Sequence, residues 1–139
     1  MASAFVFTVC VRNQTWLAQL RSATSKHPLT WGLPGGRIEP NERPLEAACR
    51  EFWEEVGVKP PRSELHPIVQ RGGRTLYVWP VAEQFSADPT APMAHESVTH
   101  AWFPLRHCPA PATKWLAKMH KEAVRAFDAA KQIADETDL

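Results

Sequence analysis

The sequence predicts an α/β fold in which a mixed β-sheet lies between helices. Short apolar and β-branched runs indicate strands, one capped amphipathic segment indicates a first helix, and a long amphipathic segment ends the chain. The predicted order of elements is β-β-β-α-β-β-β-α, which is typical of helices covering both faces of a sheet. The 139 residues contain no internal repeat or long linker, so we expect a single domain over residues 1–139.

The chain begins with a predicted hairpin. Residues 4–11 are apolar or β-branched, residues 15–20 follow the turn signal RNQ, and the polar segment 21–28 then predicts a loop. The stretch LTWGLPGG, residues 29–36, predicts one short strand that Pro34 and the glycine pair interrupt.

The first helix is predicted over residues 44–56. Pro44 suits the first helical turn, and Gly57 suits the left-handed position that ends a helix. One stripe at helical spacing is apolar and predicts the buried face: Leu45, Ala48, Cys49, Phe52 and Val56.

The second half of the chain predicts three strands and a long helix. Strands are expected at residues 65–70 and 75–85, with Gly72 and Gly73 as the turn of a hairpin. Residues 86–96 predict a long loop, residues 98–103 a further strand, and residues 112–135 a helix. The helix is expected to bury one stripe: Leu116, Met119, Ala123, Ala126, Phe127, Ala130 and Ile133.

Composition limits the classes of function. The net charge is +1, with 44% hydrophobic and 22% charged residues, so the sequence predicts an ordinary globular protein without general affinity for membranes or nucleic acids. The start MASAFVFTVCV lacks the basic region and cleavage site of a signal peptide. Cys10, Cys49 and Cys108 are far apart, which favours free thiols. We therefore expect a cytoplasmic protein.

Three glutamates, Glu51, Glu54 and Glu55, cluster on one side of the first helix, away from its apolar stripe. Like charges at this spacing cost only about 0.2–0.5 kcal/mol per pair, so a solvated acidic face is one interpretation. The other is a site for a hard divalent cation, because carboxylate oxygens are the ligands that Mg²⁺ and Mn²⁺ prefer.

The residues around these glutamates favour the second interpretation. The segment from Gly36 to Val58 matches the pattern G-x5-E-x7-R-E-U-x-E-E-x-G-U, where U is an apolar residue. The fixed positions are held by Gly36, Glu42, Arg50, Glu51, Glu54, Glu55 and Gly57, with Phe52 and Val58 at the two apolar positions. The chain therefore resembles the Nudix hydrolases, and the resemblance implies a Nudix-type α/β/α sandwich. It leaves open a Nudix module that senses nucleotides without turnover, although such modules often lose glutamates that this chain keeps.

The resemblance also implies a metal site and its surroundings. The implied ligands of Mg²⁺ or Mn²⁺ are Gly35 through its carbonyl group, Glu51, Glu54 and Glu55. Arg50 is expected to pair with nearby carboxylates and hold their conformation. Glu96 stands six residues before Trp102, where relatives often carry a loop carboxylate that binds a further metal or helps to activate water. Either Glu51 or Glu96 is then the general base.

Three basic residues are candidates for substrate binding. Arg21 lies fifteen residues before Gly36 and matches a substrate-binding arginine of mutator-type relatives, where a guanidinium would grip phosphate oxygens. Lys26 and Arg37 are weaker candidates for the same task. His95 and His100 are expected to be structural or exposed, and most of the six tryptophans are expected in the core.

The implied reaction is hydrolysis of a nucleoside diphosphate linked to a further group. The WGLPGG segment and Arg21 are most like mutator-type relatives, which convert (d)NTPs or oxidised (d)NTPs to the monophosphate and pyrophosphate. ADP-ribose, nucleotide sugars, dinucleoside polyphosphates and RNA 5′-triphosphate ends are alternative substrates. We also expect a nucleotide as the binding partner, no association with membranes, and a monomer or homodimer.

Two positions depart from the usual form of the pattern. Asn41 stands where the family usually has glycine, and asparagine tolerates a positive φ better than most residues. Arg43 stands where a serine or threonine would cap the helix, which predicts a loss of about 1 kcal/mol.

Overall fold

The computed structural model describes residues 2–137, and side chains as far as residue 131. Seven strands and two long helices are present in this part of the chain. Their bounds are β1 Ser3–Cys10, β2 Thr15–Arg21, β3 Trp31–Gly32, β4 Gly35–Arg37, α1 Pro44–Val56, β5 His66–Arg71, β6 Arg74–Val81, β7 Ser97–Pro104 and α2 Lys114–Thr137. Two single turns of 3-10 helix occur at Arg62–Glu64 and Ala94–Glu96.

The strands form one mixed sheet centred on β1. Strand β1 pairs in parallel with β6 along its whole length and antiparallel with β2 and β4. Strand β2 carries β3 and β7 as further antiparallel neighbours, and β5 pairs with β6. The sequence prediction of a mixed sheet is therefore confirmed.

The two faces of the sheet carry separate hydrophobic cores, as the alternation along β1 requires. Phe5, Phe7 and Val9 belong to the core that includes Leu116 and Met119 of α2. The intervening residues Ala4 and Val6 belong to the other core, which includes Phe52 and Val56 of α1. Each helix thus covers one face, which confirms the predicted α/β/α sandwich.

The predicted strand at residues 29–36 is wrong as a single element, because it forms β3 and β4 with different partners. Strand β3 pairs with β2, whereas β4 pairs with β1. Between the two strands, the carbonyl oxygen of Pro34 accepts a hydrogen bond of 3.0 Å from the backbone N–H of Val6 in β1. Gly35 then takes a φ of 153°. A Cβ at Gly35 would lie 2.3 Å from the carbonyl oxygen of Ala4, so glycine is required there.

Helix α1 begins and ends where the sequence predicts. Gly57 has a φ of 83° and donates its N–H to the carbonyl oxygen of Trp53 at 2.9 Å. At the other end, the carboxylate of Glu46 accepts a hydrogen bond of 3.2 Å from the backbone N–H of Arg43, which offsets part of the missing cap. Asn41 has a φ of 67°, as expected from its position.

Strand β6 ends at Val81 rather than at residue 85, because the chain leaves the sheet to pack over the end of α1. The N–H of Asp88 donates to the carbonyl oxygen of Val56, and that of Met93 to the carbonyl oxygen of Glu54, both at 2.7 Å. The loop therefore satisfies carbonyl groups that the end of a helix leaves without partners. The hairpin turn at Gly72 and Gly73 is confirmed, with φ values of 58° and 78°.

Helix α2 is displaced by two residues from the prediction and buries Leu116, Met119 and Ala123. The predicted burial of Ala130 is wrong, because it is exposed near the end of the described side chains, and Ile133 lies outside them. Of the tryptophans, Trp16 and Trp79 are buried, whereas Trp53 is 37% exposed and lies 5.2 Å from the ammonium group of Lys59. In residues 2–137, neither helix has an apolar stretch sufficient to cross a bilayer.

Candidate active site

Glu55 is the most buried of the three helical glutamates, at 3% exposure. Its carboxylate accepts a hydrogen bond of 2.9 Å from the backbone N–H of Gly35 and one of 3.3 Å from the side-chain amide of Gln19. Burial raises the pKa of Glu55 to about 8, against the lowering effect of the hydrogen bond from Gly35. The carboxyl group is therefore fixed between α1, β2 and β4.

Glu51 lies against the glycine pair of β4. A Cβ at Gly36 would lie 2.7 Å from the carboxyl carbon of Glu51, so any other residue there would displace this carboxylate. Burial raises the pKa of Glu51, and the neighbouring guanidinium of Arg50 acts in the opposite direction. The lack of a side chain at Gly36 thus brings a half-buried carboxylate next to exposed backbone groups.

Arg50 organises the carboxylates around it. Its Nε and Nη2 donate to the two oxygens of Glu42 at 2.8 and 3.0 Å, which is a bidentate pair. Its Nη1 lies 3.1 Å from Glu51 and 3.3 Å from Glu54, and its Nη2 also donates to the carbonyl oxygen of Arg37 at 3.0 Å. The hydrogen bonds from Arg50 lower the pKa of Glu42. One guanidinium therefore joins α1, β4 and the loop between them.

In the described residues, no three acidic, histidine or cysteine side chains converge to hold a single metal ion. The reason is visible in the contacts: Glu51 and Glu54 turn to Arg50, while Glu55 turns to Gly35 and Gln19. The donor set nevertheless fits a hard divalent cation, because it consists of carboxylate oxygens beside glycine backbone.

Glu96 lies at the end of the 3-10 turn Ala94–Glu96, near the helical glutamates. Its backbone carbonyl accepts a hydrogen bond of 3.0 Å from the N–H of Ser22, which ties this turn to the loop after β2. Its charge contributes to the raised pKa of both Glu51 and Glu55. The fold thus brings together carboxylates that are more than forty residues apart in sequence.

A cavity of about 370 Å³ adjoins Glu55 and carries two of the three predicted basic residues. Its lining is polar and consists of Gln19, Arg21, Ser22, Thr24, Ser25, Lys26, Glu55, His95 and Glu96. Arg21 extends over Gly32, where a Cβ would lie 2.9 Å from the Nε atom. We call this space the basic cavity.

The third predicted basic residue is placed differently. Arg37 lies on β4 with an exposed side chain, and its carbonyl oxygen accepts from Arg50. Its side chain is not part of the lining of the basic cavity or of the cleft beside it. The geometry therefore groups Arg21 and Lys26 with the carboxylates and leaves Arg37 apart.

A second and larger space, of about 620 Å³, meets the basic cavity at Glu55 and His95. We call it the neutral cleft, because no lysine or arginine occurs among the described residues that line it. One wall is the loop that follows β6, and the other is strand β7. Together the two spaces form a groove in which one part carries Arg21 and Lys26 and the other carries no lysine or arginine among the described residues.

Comparison with known proteins identifies the family of this chain. The family model described as the NUDIX domain matches residues 1–125. The chain belongs to the Nudix family. The prediction made from the pattern between Gly36 and Val58 is thereby confirmed.

The curated relatives of this Nudix chain match only over part of their length. Diphosphoinositol polyphosphate phosphohydrolase 2 of Rattus norvegicus is 37% identical over 79 residues, which cover 54% of this chain and 44% of the relative. Diphosphoinositol polyphosphate phosphohydrolase 3-alpha of Homo sapiens is 43% identical over 51 residues, covering 37% and 31% respectively. The chain thus spans less than half the length of these relatives.

Solved structures share the fold. A Nudix hydrolase from M. smegmatis superposes with a TM-score of 0.69 at 22% identity, covering 93% of this chain and 86% of that one. The E. coli dihydroneopterin triphosphate pyrophosphohydrolase superposes with a TM-score of 0.68 at 18% identity, covering 91% and 93%. At these identities the likeness concerns the Nudix fold alone.

Sequence reasoning missed one residue of the Nudix site. Gln19 lies in the apolar run of β2, is 1% exposed, and donates to Glu55. The available signal was a lone amide in the strand TWLAQLR, because a polar side chain is rarely buried in a strand without a partner. Helical periodicity placed Glu55 away from the apolar stripe, whereas the structure buries it.

Proposed function

We propose that this Nudix domain is a divalent-metal-dependent pyrophosphohydrolase whose substrates are nucleoside diphosphates linked to a further group, foremost (d)NTPs or oxidised (d)NTPs. The products would be the monophosphate and pyrophosphate. The observation that carries the proposal is the position of Arg21 and Lys26 in one cavity with Glu55 and Glu96. A polyphosphate chain needs cations on one side and metal-binding carboxylates on the other.

Each side chain then has a task that its contacts support. Glu51 and Glu54, with Glu55 and the carbonyl group of Gly35, would hold Mg²⁺ or Mn²⁺. The bound ion would supply Lewis-acid polarisation of the phosphate and a lowered pKa for the attacking water. Arg50 keeps Glu51 and Glu54 oriented through contacts of 3.1 and 3.3 Å.

The basic and acidic residues of the basic cavity complete the proposed reaction. The guanidinium of Arg21 would bind non-bridging phosphate oxygens, with Lys26 as a second positive charge. Glu51 or Glu96 would accept the proton of the attacking water: Glu96 lines the basic cavity, and its charge acts on Glu51. Water attacks one phosphorus, and the other phosphate leaves with the electrons of the bridging bond.

A substrate screen tests the proposal. Release of pyrophosphate or phosphate would be measured with Mg²⁺ across NTPs, oxidised NTPs, ADP-ribose, nucleotide sugars, dinucleoside polyphosphates and 5′-triphosphate RNA. We expect Mg²⁺-dependent pyrophosphate release from NTPs. Nucleotide binding without any turnover would instead assign the chain to the nucleotide-sensing modules and overturn the proposal.

A second candidate follows from the names of the curated relatives, which act on diphosphoinositol polyphosphates. These substrates contain the same phosphoric anhydride bond, so the same carboxylates would serve. The screen should therefore include a diphosphoinositol polyphosphate. Faster turnover of this compound than of every nucleotide would select the second candidate.

A further inference from the structure

Three polar atoms in or beside the neutral cleft have no hydrogen-bond partner among the described residues. They are Oε1 of Gln19, Oγ of Ser97 and Nε2 of His100, and all are buried from solvent. A buried polar atom left without a partner typically costs about 1–3 kcal/mol. Thr8 Oγ1 and Trp79 Nε1 are unpartnered in the same way but belong to residues that line neither space, so what distinguishes the three atoms is that they belong to residues lining the groove.

The register of the sheet places these side chains on one face. Gln19 pairs with His100 across β2 and β7, and Arg21 pairs with Ser97 after an irregularity that leaves Val98 unpaired. Side chains of directly paired residues point to the same side of a sheet. Gln19, Ser97 and His100 therefore form a polar floor.

The polar floor faces the helix α1 side. Leu17 and Trp102 form the next pair on the same face of the sheet, and both belong to the core under α1. Ser97 and His100 line the neutral cleft, whereas Gln19 lines the basic cavity where the two spaces meet at Glu55. The floor thus runs from the basic cavity into the neutral cleft.

The hydrogen-bonding groups of this floor are defined. The amide N–H of Gln19 donates to Glu55, so its Oε1 is left as an acceptor. Burial lowers the pKa of His100, so its ring is neutral near pH 7 and offers one donor and one acceptor. The hydroxyl of Ser97 adds a donor and an acceptor. This combination matches an uncharged group that carries both donors and acceptors.

The charge of the neutral cleft disfavours an anionic occupant. Its described lining includes Glu55 and Asp88 but no lysine or arginine, and Phe85 and Trp102 add aromatic surface. An inositol ring that carries phosphates around its circumference would place several of them against this surface without a counter-charge. A planar heterocyclic base offers hydrogen-bonding edges and an apolar face instead. The volume of about 620 Å³ is within the usual range for small-molecule sites.

We propose that the neutral cleft binds the nucleobase of the substrate, and that Ser97 and His100, with Oε1 of Gln19, determine which base is accepted. The inference rests on the proposed function, because it assumes that the phosphates occupy the basic cavity. It also selects nucleotides over diphosphoinositol polyphosphates, since only the former have an uncharged half.

Binding without turnover tests the inference independently of catalysis. Nucleoside monophosphates of each base would be titrated into the wild-type chain in EDTA, and into His100→Leu and Ser97→Ala. We expect the preferred base to bind about 3- to 10-fold more weakly to each variant, the range that one hydrogen bond supplies. Inorganic tripolyphosphate, which lacks a base, should bind all three proteins equally. His66→Leu, on the exposed side of β5, is the matched control and should bind like the wild type.

Kinetics separate this role from a merely structural one. With the best NTP, His100→Leu should raise KM about 3- to 10-fold and change kcat less than twofold, since the base is far from the reacting phosphate. His100→Gln should recover part of the affinity, because an amide keeps a donor and an acceptor, and it serves as the second variant if His100→Leu does not fold.

The outcomes distinguish the two proposals. Unchanged monophosphate binding in both variants, or an equal loss for tripolyphosphate, would overturn the base site while leaving the hydrolase function intact. Preferred turnover of a diphosphoinositol polyphosphate would select the second candidate function and overturn the base site together with the nucleotide function. Base-dependent binding that follows His100, together with no hydrolysis of any nucleotide, would keep the base site and reject the proposed function.

Discussion

The two helices cover equivalent faces of one sheet, yet their buried surfaces differ in kind. Helix α2 buries Leu116, Met119 and Ala123, and its buried polar side chain, His120, has a hydrogen bond of 2.8 Å with the carbonyl oxygen of Leu105. Helix α1 buries Phe52 and Val56 but also carries a carboxylate, Glu55, into the interior.

The difference separates a face of the sheet that only stabilises the fold from a face that also carries the proposed active site. Burying a carboxylate is unfavourable, which is why the pKa of Glu55 rises to about 8 even with two hydrogen bonds. A face built only for stability would carry an apolar residue there. The face under α1 therefore combines a core with the edge that carries the proposed metal site, whereas the described side chains under α2 form a core. Four substitutions test this contrast.

The largest expected effect is on catalysis at α1. Glu54→Gln keeps the shape of the side chain but removes the charge that the proposed metal site needs. We expect turnover with Mg²⁺ to fall by about 10²- to 10³-fold, with the melting temperature unchanged. Pyrophosphate release and thermal unfolding would be measured on the same preparation. Glu64→Gln, an exposed carboxylate, is the control, and near-normal activity of Glu54→Gln would reject the metal-site role.

At α2, we expect a loss of stability without a loss of activity. Leu116→Ala removes a side chain that is 1% exposed, which should lower the free energy of unfolding by about 2–5 kcal/mol. The kcat per folded molecule should stay the same, because none of the described side chains of α2 lines either space of the groove. Urea unfolding checks the first statement and initial rates at low temperature check the second. Lys118→Ala, an exposed neighbour, should change neither the free energy of unfolding nor kcat. If Leu116→Ala kept wild-type stability but lowered kcat, the contrast between the two helices would be wrong.

A smaller effect is expected from Arg50→Lys. Lysine keeps the charge but loses the bidentate pair with Glu42 and the contact with Glu51, so the carboxylates are held less firmly. The Mg²⁺ concentration for half-maximal activity should rise about tenfold. A titration of rate against Mg²⁺ measures it, with Arg62→Lys as the exposed control. An unchanged midpoint would show that Arg50 does not position the metal ligands.

The smallest effect concerns His120 under α2. Burial lowers its pKa in the folded state, so below the unfolded value of about 6.5 the unfolded chain takes up the proton first. This residue therefore contributes stability above pH 6.5 that is lost as the pH falls toward its folded pKa. His120→Gln should flatten the fall in unfolding free energy below pH 6.5, as followed by urea unfolding. His66→Gln, at an exposed position, should leave this pH dependence unchanged. Parallel curves of unfolding free energy against pH for wild type and His120→Gln would contradict the role given to His120.

The sequence determined the elements and the family because both are local. The bounds of α1 follow from Pro44, Gly57 and the apolar stripe between them, and the Nudix pattern lies within 23 consecutive residues. Local patterns could not divide residues 29–36 into two strands, since β3 and β4 differ only in which distant strand each one meets.

Only the tertiary structure decided how the site is built. Periodicity placed Glu55 away from the apolar stripe, but contacts with Gly35 and Gln19, twenty and thirty-six residues away, bury it. The separation of Arg37 from Arg21 and Lys26, and the polar floor across β2 and β7, likewise depend on strand pairing. The physical reason is that helix caps and stripes are set by neighbours in sequence, whereas the burial of a charge and the lining of a groove are set by distant residues that strand register brings together.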